Sequence, residues 1–241
     1  MKKAVIAVAA ISLVMGFSSV SFGKSEISGK VMNKAKVDKS ANVAIGKNAT
    51  ARMGSIGVKG SKISGTVSNN ANVSKSANVA IGEGSTANMG SVSMENAKVS
   101  GKIMNNAKVD KSANVAIGKG STANMGSISM KGGSVSSRGM VSNRANISKS
   151  ANVAIGENAT ANMGAVTMEN ARISGKVMNK AKVDKSANVA IGKGATANMG
   201  SVTIKNANVK GIISNNADVS KSANVAIGQG SEASMGSVTV E

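Results

Sequence analysis

Short runs in which apolar and polar residues alternate, broken every few positions by Gly, Asn, Ser or Lys, extend along most of the chain. Between Ala35 and Met53 the apolar or small positions are Ala35 and Val37, then Ala41, Val43 and Ile45, then Ala49, Ala51 and Met53. Period-two alternation over such short stretches predicts β-strands joined by tight turns. No apolar stripe at helical spacing persists, and Val, Ile, Asn, Ser and Gly are poor helix formers. The pattern predicts an all-β protein.

The pattern also repeats. Ser-Ala-Asn-Val-Ala-Ile-Gly begins at Ser40 and returns unchanged at Ser76, Ser112, Ser150, Ser186 and Ser222, at intervals of 36, 36, 38, 36 and 36 residues. Self-similarity at a fixed period of this length marks a repeat architecture, in which one unit cannot bury its inward row alone and stacking does. The expected fold is a β-solenoid of six 36-residue repeats with parallel-stacked strands and uncapped ends, in units starting at Ile27, Ile63, Val99, Ser137, Ile173 and Val209. The two extra residues of the third unit are expected in the turn-rich Lys131-Gly132-Gly133-Ser134. The halves of a unit align poorly, which points to one wide, kinked coil rather than two narrow ones.

Charge follows the stacking. The residue after Ala-Ile-Gly runs Lys47, Glu83, Lys119, Glu157, Lys193, Gln229, and a second column alternates Asp38, Ser74, Asp110, Ser148, Asp184, Ser220. Opposite charges on adjacent strands help by a few tenths of a kcal/mol, and like charges hurt; duplication of a two-unit segment would leave the same alternation. One column breaks the rule: Lys39, Lys75, Lys111, Lys149, Lys185 and Lys221 recur in every unit, as a solvated rim or an anion-binding ladder.

Composition narrows the chemistry. Aromatic residues are 1% of the chain, which suits a thin core of Ala, Val, Ile and Met, and Met53 with its equivalents is expected to fill gaps there. His and Cys are absent, so the commonest general base and metal ligand are missing along with thiolate chemistry. We expect no enzyme, cofactor or metal site. The formal charge of +19 favours acidic partners: anionic polysaccharide, extracellular DNA or charged surfaces. With so few rings to stack on bases, DNA binding would be salt-sensitive phosphate contact alone.

Lys2 and Lys3 precede an apolar run from Ala4 to Met15, then Gly16 and a Ser-rich stretch ending Ser21-Phe22-Gly23. This reads as a secretory signal peptide over residues 1–23, the run being too short to span a bilayer. A single repeat domain would occupy 24–241, and the protein would be secreted, extracellular or at the cell surface. Cleavage after Gly23 leaves 218 residues, six periods plus the two-residue insertion. The last unit stops at Val238-Thr239-Val240-Glu241, and Lys24-Ser25-Glu26 followed by Ile27 would complete its period. A self-assembly interface is therefore expected between Lys24, Ser25, Glu26, Ile27 of one copy and Val238, Val240, Glu241 of another, giving an open head-to-tail filament.

Ala77 to Gly90, with its Ala-Asn-Val-Ala-Ile-Gly core, resembles the head repeats of YadA-like trimeric adhesins, which implies a β-roll and surface attachment. The longer frame, with Asn105-Asn106-Ala107 and Asn114-Val115-Ala116, resembles the repeats of curli and Fap functional amyloids, which implies a biofilm-matrix fibre. The 241 residues contain no stretch that reads as the adhesins' membrane barrel or coiled-coil stalk, and Gln is nearly absent where the amyloids use it. A third reading takes the Thr50, Thr86, Thr122, Thr160, Thr196 column and the adjacent Arg52, Asn88, Asn124, Asn162, Asn198 as an outward, ice-binding face; unit six breaks both with Glu232 and Ser234.

Overall fold

The computed structural model describes residues 11–15, 20–23, 26–236 and 238–240. These residues form a β-solenoid with one coil per repeat, all of whose strand pairings are parallel. Each coil passes through four sheets. The first holds Lys30–Asp38 and its equivalents, and the second Ala41–Ile45. The third holds Thr50–Met53, and the fourth Ile56–Lys59 with the short Lys62–Ile63. We number the coils by their first-sheet strands, from Lys30–Asp38 in coil one to Ile212–Ser220 in coil six.

The turns follow from left-handed residues. Gly54, Gly90, Gly126, Gly164, Gly200 and Gly236 turn the chain from third to fourth sheet at φ between 60° and 66°. A Cβ on Gly90 would also lie 3.2 Å from that of Ala107 in the first sheet, so Gly serves both the dihedral and the packing there.

The cross-section is kinked, as the unequal halves of the repeat predict, and encloses three cores. Val, Ile and Met side chains such as Val67, Val92 and Met94 fill the space between first and fourth sheets. Val73, Val109, Met89 and Met125 pack between first and third. The apolar residues between second and third are alanines, among them Ala80, Ala87, Ala116 and Ala123. Met53, Met89, Met125, Met163 and Met199 are fully buried in the middle core, as expected of gap-fillers.

The register corrects the placement of the insertion. Val92–Val99 pairs with Ile128–Val135 through Val99 opposite Val135, with no slip at Lys131–Ser134. Only then does the offset change, with Lys102 opposite Met140. The extra residues therefore lie in the turn at 136–139, and the equivalent of Ile173 in the fourth repeat is Val135, not Ser137. Gly132 and Gly133 instead replace Asn96 and Ala97 without adding length.

Three strands precede coil one, of which Glu26–Ile27 pairs with Lys62–Ile63. Ile11–Met15 pairs with the first-sheet strand of coil one, Ile11 opposite Met32, and Val20–Phe22 pairs with Ile56–Val58. The N-terminal edges of the second and third sheets carry no further strand among the described residues. The same is true of the C-terminal edges of all four sheets at coil six. No helix among the described residues is long and apolar enough to cross a membrane.

Candidate functional site: two end faces and a lysine ladder

Asparagine ladders run through the stack. In the first sheet Asn33 Nδ2 donates to Asn69 Oδ1 at 2.8 Å, and the chain of bonds continues through Asn105, Asn143 and Asn179 to Asn215. In the second sheet an equivalent ladder runs from Asn42 through Asn78, Asn114, Asn152 and Asn188 to Asn224. Both donate towards the C-terminal coil. The second ladder also ties sheets together, since Asn114 Nδ2 reaches Ala87 O and Asn124 O, both at 3.1 Å. These asparagines are buried within the stack and half-buried at Asn42, Asn215 and Asn224; in sequence Asn105 and Asn114 carry a family resemblance, and a buried ladder was not expected. Their signal was there: an Asn in the inward phase at the same place in all six repeats.

A one-way ladder leaves its first acceptor unmet. Asn33 Oδ1 is buried and has no hydrogen-bond partner. Leaving a buried acceptor unsatisfied costs about 1–3 kcal/mol. At the other end, coil six presents an open face. Met199 is fully buried beneath it, whereas Met235, one coil later, is 47% exposed, with Ile212, Ile227, Val238 and Val240 alongside. At the N-terminal end Val43 and Ile45 of the second sheet are exposed in the same way.

The expected interface residues divide between these ends. Ile27 is buried at the N-terminal edge of the fourth sheet, and Glu26 forms a 3.1 Å ion pair with Lys62. Val238 and Val240 lie on the coil-six face. Lys24, Ser25 and Glu241 fall outside the described residues, as do most positions of the expected signal peptide. Continuing the 36-residue register past coil six sets Val238 and Val240 over Ile56 and Val58 of a following copy, and Val209 over Ile27. Val20–Phe22 of the same chain already holds the place over Ile56–Val58.

The charge columns are in register. Lys47 and Glu83 are 3.8 Å apart, Lys119 and Glu157 3.1 Å, and Lys59 and Glu95 3.1 Å. All are exposed, so each adds little. Ser148 Oγ donates to Asp110 at 2.5 Å and Ser220 Oγ to Asp184 at 2.9 Å, with Ser74 doing the same for Asp38. That hydrogen bond holds the Asp38 carboxyl below its usual range; slight desolvation opposes it, and the charges of Lys39, Lys75 and Lys36 add to it.

The six lysines of the unbroken column form a ladder at the corner between first and second sheets. Each is exposed, with φ between 47° and 49°. Together with Ser76, Ala77 and their equivalents they line a shallow groove along the stack. Every other left-handed corner uses Gly or Asn, for which that conformation is cheap; for Lys it costs about 1 kcal/mol each.

The asparagines of the third sheet do not face water. Asn88, Asn124, Asn162 and Asn198 are buried, because third and fourth sheets fold towards each other on that side and close a notch over them. The adjacent threonines are half-buried apart from the exposed Thr50. The flat outward Thr/Asn array expected from alternation is therefore not formed. Among the described residues no three His, Cys, Asp or Glu converge as a metal site would need. No family model matches the chain, and no curated protein matches it.

Proposed function

We propose that this chain is an exported structural subunit that polymerises head to tail, coil six of one copy stacking on coil one of the next, into an extracellular or biofilm-matrix filament. The observation that carries the reading is the one-way first-sheet ladder: Asn33 Oδ1, unpartnered beneath Ile11–Met15, becomes its open first acceptor once that strand is removed, and the register sets Asn215 Nδ2 of a preceding copy over it as donor. Charge supports it. The stacking register sets Asp218 over Lys36 and Ser220 over Asp38, and the series Lys59, Glu95, Lys131, Glu169, Lys205, Glu241 would continue its alternation into Lys59 of the next copy. The open apolar edge at coil six supports it too, since an unpaired parallel edge is a template for further strands.

The leader has a place in this scheme. Ile11–Met15 and Val20–Phe22 lie where strands of a preceding copy would add, so assembly follows removal of residues 1–23. Electron microscopy and sedimentation of the processed chain test the reading: filaments of uniform width with a repeat of about 4.8 Å along the axis are expected. Discrete monomers at high concentration would overturn it, and compact trimers would favour the adhesin reading instead.

The lysine ladder supports a second reading, of a partner. Six stacked like charges in a conformation that disfavours them are retained where Gly or Asn would stabilise the corner. In a filament the groove would be continuous, and a linear polyanion would neutralise it. An acidic polysaccharide suits it better than DNA, because neither aromatic rings nor guanidinium forks line the groove. Binding of polygalacturonate that falls steeply with salt, and that is lost on Lys-to-Asn substitution along the ladder, would support this reading. Equal binding by the substituted protein would refute it.

A further inference from the structure

The third and fourth sheets meet at the notch, and its residues change only in the end coils. In coils two to five the floor is Asn88, Asn124, Asn162 and Asn198 from the third sheet, bonded in series at 2.8–3.1 Å. The fourth sheet faces them with Ser or Thr: Thr167 Oγ1 donates to Asn162 Oδ1 at 3.1 Å and Thr203 Oγ1 to Asn198 Oδ1 at 3.3 Å.

Coil one replaces the Asn by Arg52 and the Ser/Thr by Gly57. The two changes are coupled. A Cβ on Gly57 would lie 3.1 Å from the guanidinium carbon of Arg52, so the serine found one coil on would crowd the side chain. Arg52 Nε is nonetheless buried with no hydrogen-bond partner, and burial lowers the guanidinium's pKa. No carboxylate among the described residues pairs with it. Coil six changes the same strip in the opposite sense. Glu232 stands where other coils have Thr, Ser234 where they have Asn, and Glu232 reaches across the notch to Lys205.

Placing coil six on coil one sets Ser234 directly over Arg52 and Glu232 one step away on the diagonal, within reach of long side chains across neighbouring strands. The small Ser234 leaves room for the arginine. We infer that Glu232 of one copy and Arg52 of the next form an ion pair at the filament junction, joined by Lys205, and that this pair sets the polarity of assembly. The inference rests on the head-to-tail reading and adds to it. Two coil-six faces meeting about a two-fold axis would bring Glu232 carboxylates together, and two coil-one faces would bring Arg52 side chains together, so closed dimers are disfavoured and the open polymer favoured.

The test uses protein expressed from the full sequence and recovered as the host processes it. Glu232→Lys and Arg52→Glu are each expected to raise the critical concentration for assembly about tenfold, a change of about 1.4 kcal/mol. The double variant Arg52→Glu/Glu232→Lys should return it to within about threefold of wild type, as expected of an interacting pair. Circular dichroism of the dilute subunits should be unchanged. If Arg52→Glu does not fold, Arg52→Gln and Glu232→Gln should each still raise the critical concentration about threefold, as loss of a partly exposed pair would. Wild-type filaments with single variants that assemble equally well, or a double variant no better than the worse single, would overturn the pair and leave the filament standing. Absence of wild-type filaments would overturn both.

Discussion

The buried asparagine ladders make a prediction that depends on position in the stack. Asn114, in the third coil, accepts from Asn78 Nδ2 at 2.8 Å and donates to Asn152 Oδ1 at 2.8 Å, besides reaching two carbonyls of the third sheet. Asn114→Ala removes the donor to Asn152 Oδ1 and the acceptor for Asn78 Nδ2, both buried, and leaves a small void among alanines. One orphaned acceptor at about 1–3 kcal/mol, together with the lost carbonyl bonds at about 1 kcal/mol each, gives a destabilisation of about 3–5 kcal/mol. Asn224→Ala, the same change in coil six, orphans no acceptor of the ladder. Asn188 Nδ2, which it leaves, still has Ala161 O and Asn198 O, and the site is half-buried. The bonds of Asn224 itself to Ala197 O and Ser234 O are lost, at about 1 kcal/mol each when buried and less at this half-buried end, so about 1–2 kcal/mol is expected there. Urea unfolding followed by circular dichroism, on subunits kept below the assembly threshold, measures both. Equal effects at the two positions, or a loss under about 1 kcal/mol at Asn114, would show that the ladders do not hold the stack together. Because repeat arrays can unfold in parts, the m-values must agree between variants before free energies are compared.

Three further outcomes follow from the same geometry. Gly118→Ala should prevent a soluble folded stack, since φ is 137° and the added Cβ would lie 2.0 Å from Gly82 O, a backbone atom that cannot move aside; wild-type-like solubility and circular dichroism would contradict this. Deleting Ser137 and Arg138 leaves Ser136-Gly139, the Ser-Gly turn found at 28–29, 64–65, 100–101 and 174–175, and should change the urea midpoint by less than the equivalent of about 0.5 kcal/mol; a large loss would place the insertion elsewhere. Because the folded Asp38 carboxyl is held below its unfolded value, its contribution is present above the ordinary carboxylate range and is lost as pH falls through the folded pKa. Asp38→Asn should therefore reduce stability near neutral pH and not in strong acid, as read from paired urea titrations; a pH-independent difference would contradict it.

The period and the alternation made the solenoid legible, because inward and outward rows recur at fixed offsets that only stacking can satisfy. They could not show which face meets water where the coil is concave. Asn88 reads as outward from Thr86, and it is covered only because the fourth sheet folds back over it, a contact between strands that alternation within one strand does not encode. The insertion was misplaced for a related reason: Gly132-Gly133 looks like added turn, yet it substitutes for Asn96-Ala97 in register, and the added length sits beside Arg138. Of the candidate site, the ends and the lysine column were legible as residues out of pattern. The coupling of Arg52 to Gly57 and the unmet acceptor on Asn33 were not, since both depend on which side chains share a buried space.

Cross-linking tests head-to-tail stacking most directly. The chain has no cysteine, so Lys34→Cys/Asn216→Cys introduces one thiol in coil one and one in coil six, on exposed rows of the first sheet that the stacking register sets opposite each other. Within one copy five strand spacings, about 24 Å, separate them, whereas across the junction one spacing of about 4.8 Å falls in the range a disulfide spans. On mild oxidation the processed double variant should run as a ladder of covalent multimers on a denaturing gel, with single variants stopping at dimers. Double-variant protein that stays monomeric, or stops at dimers as the singles do, would contradict head-to-tail stacking.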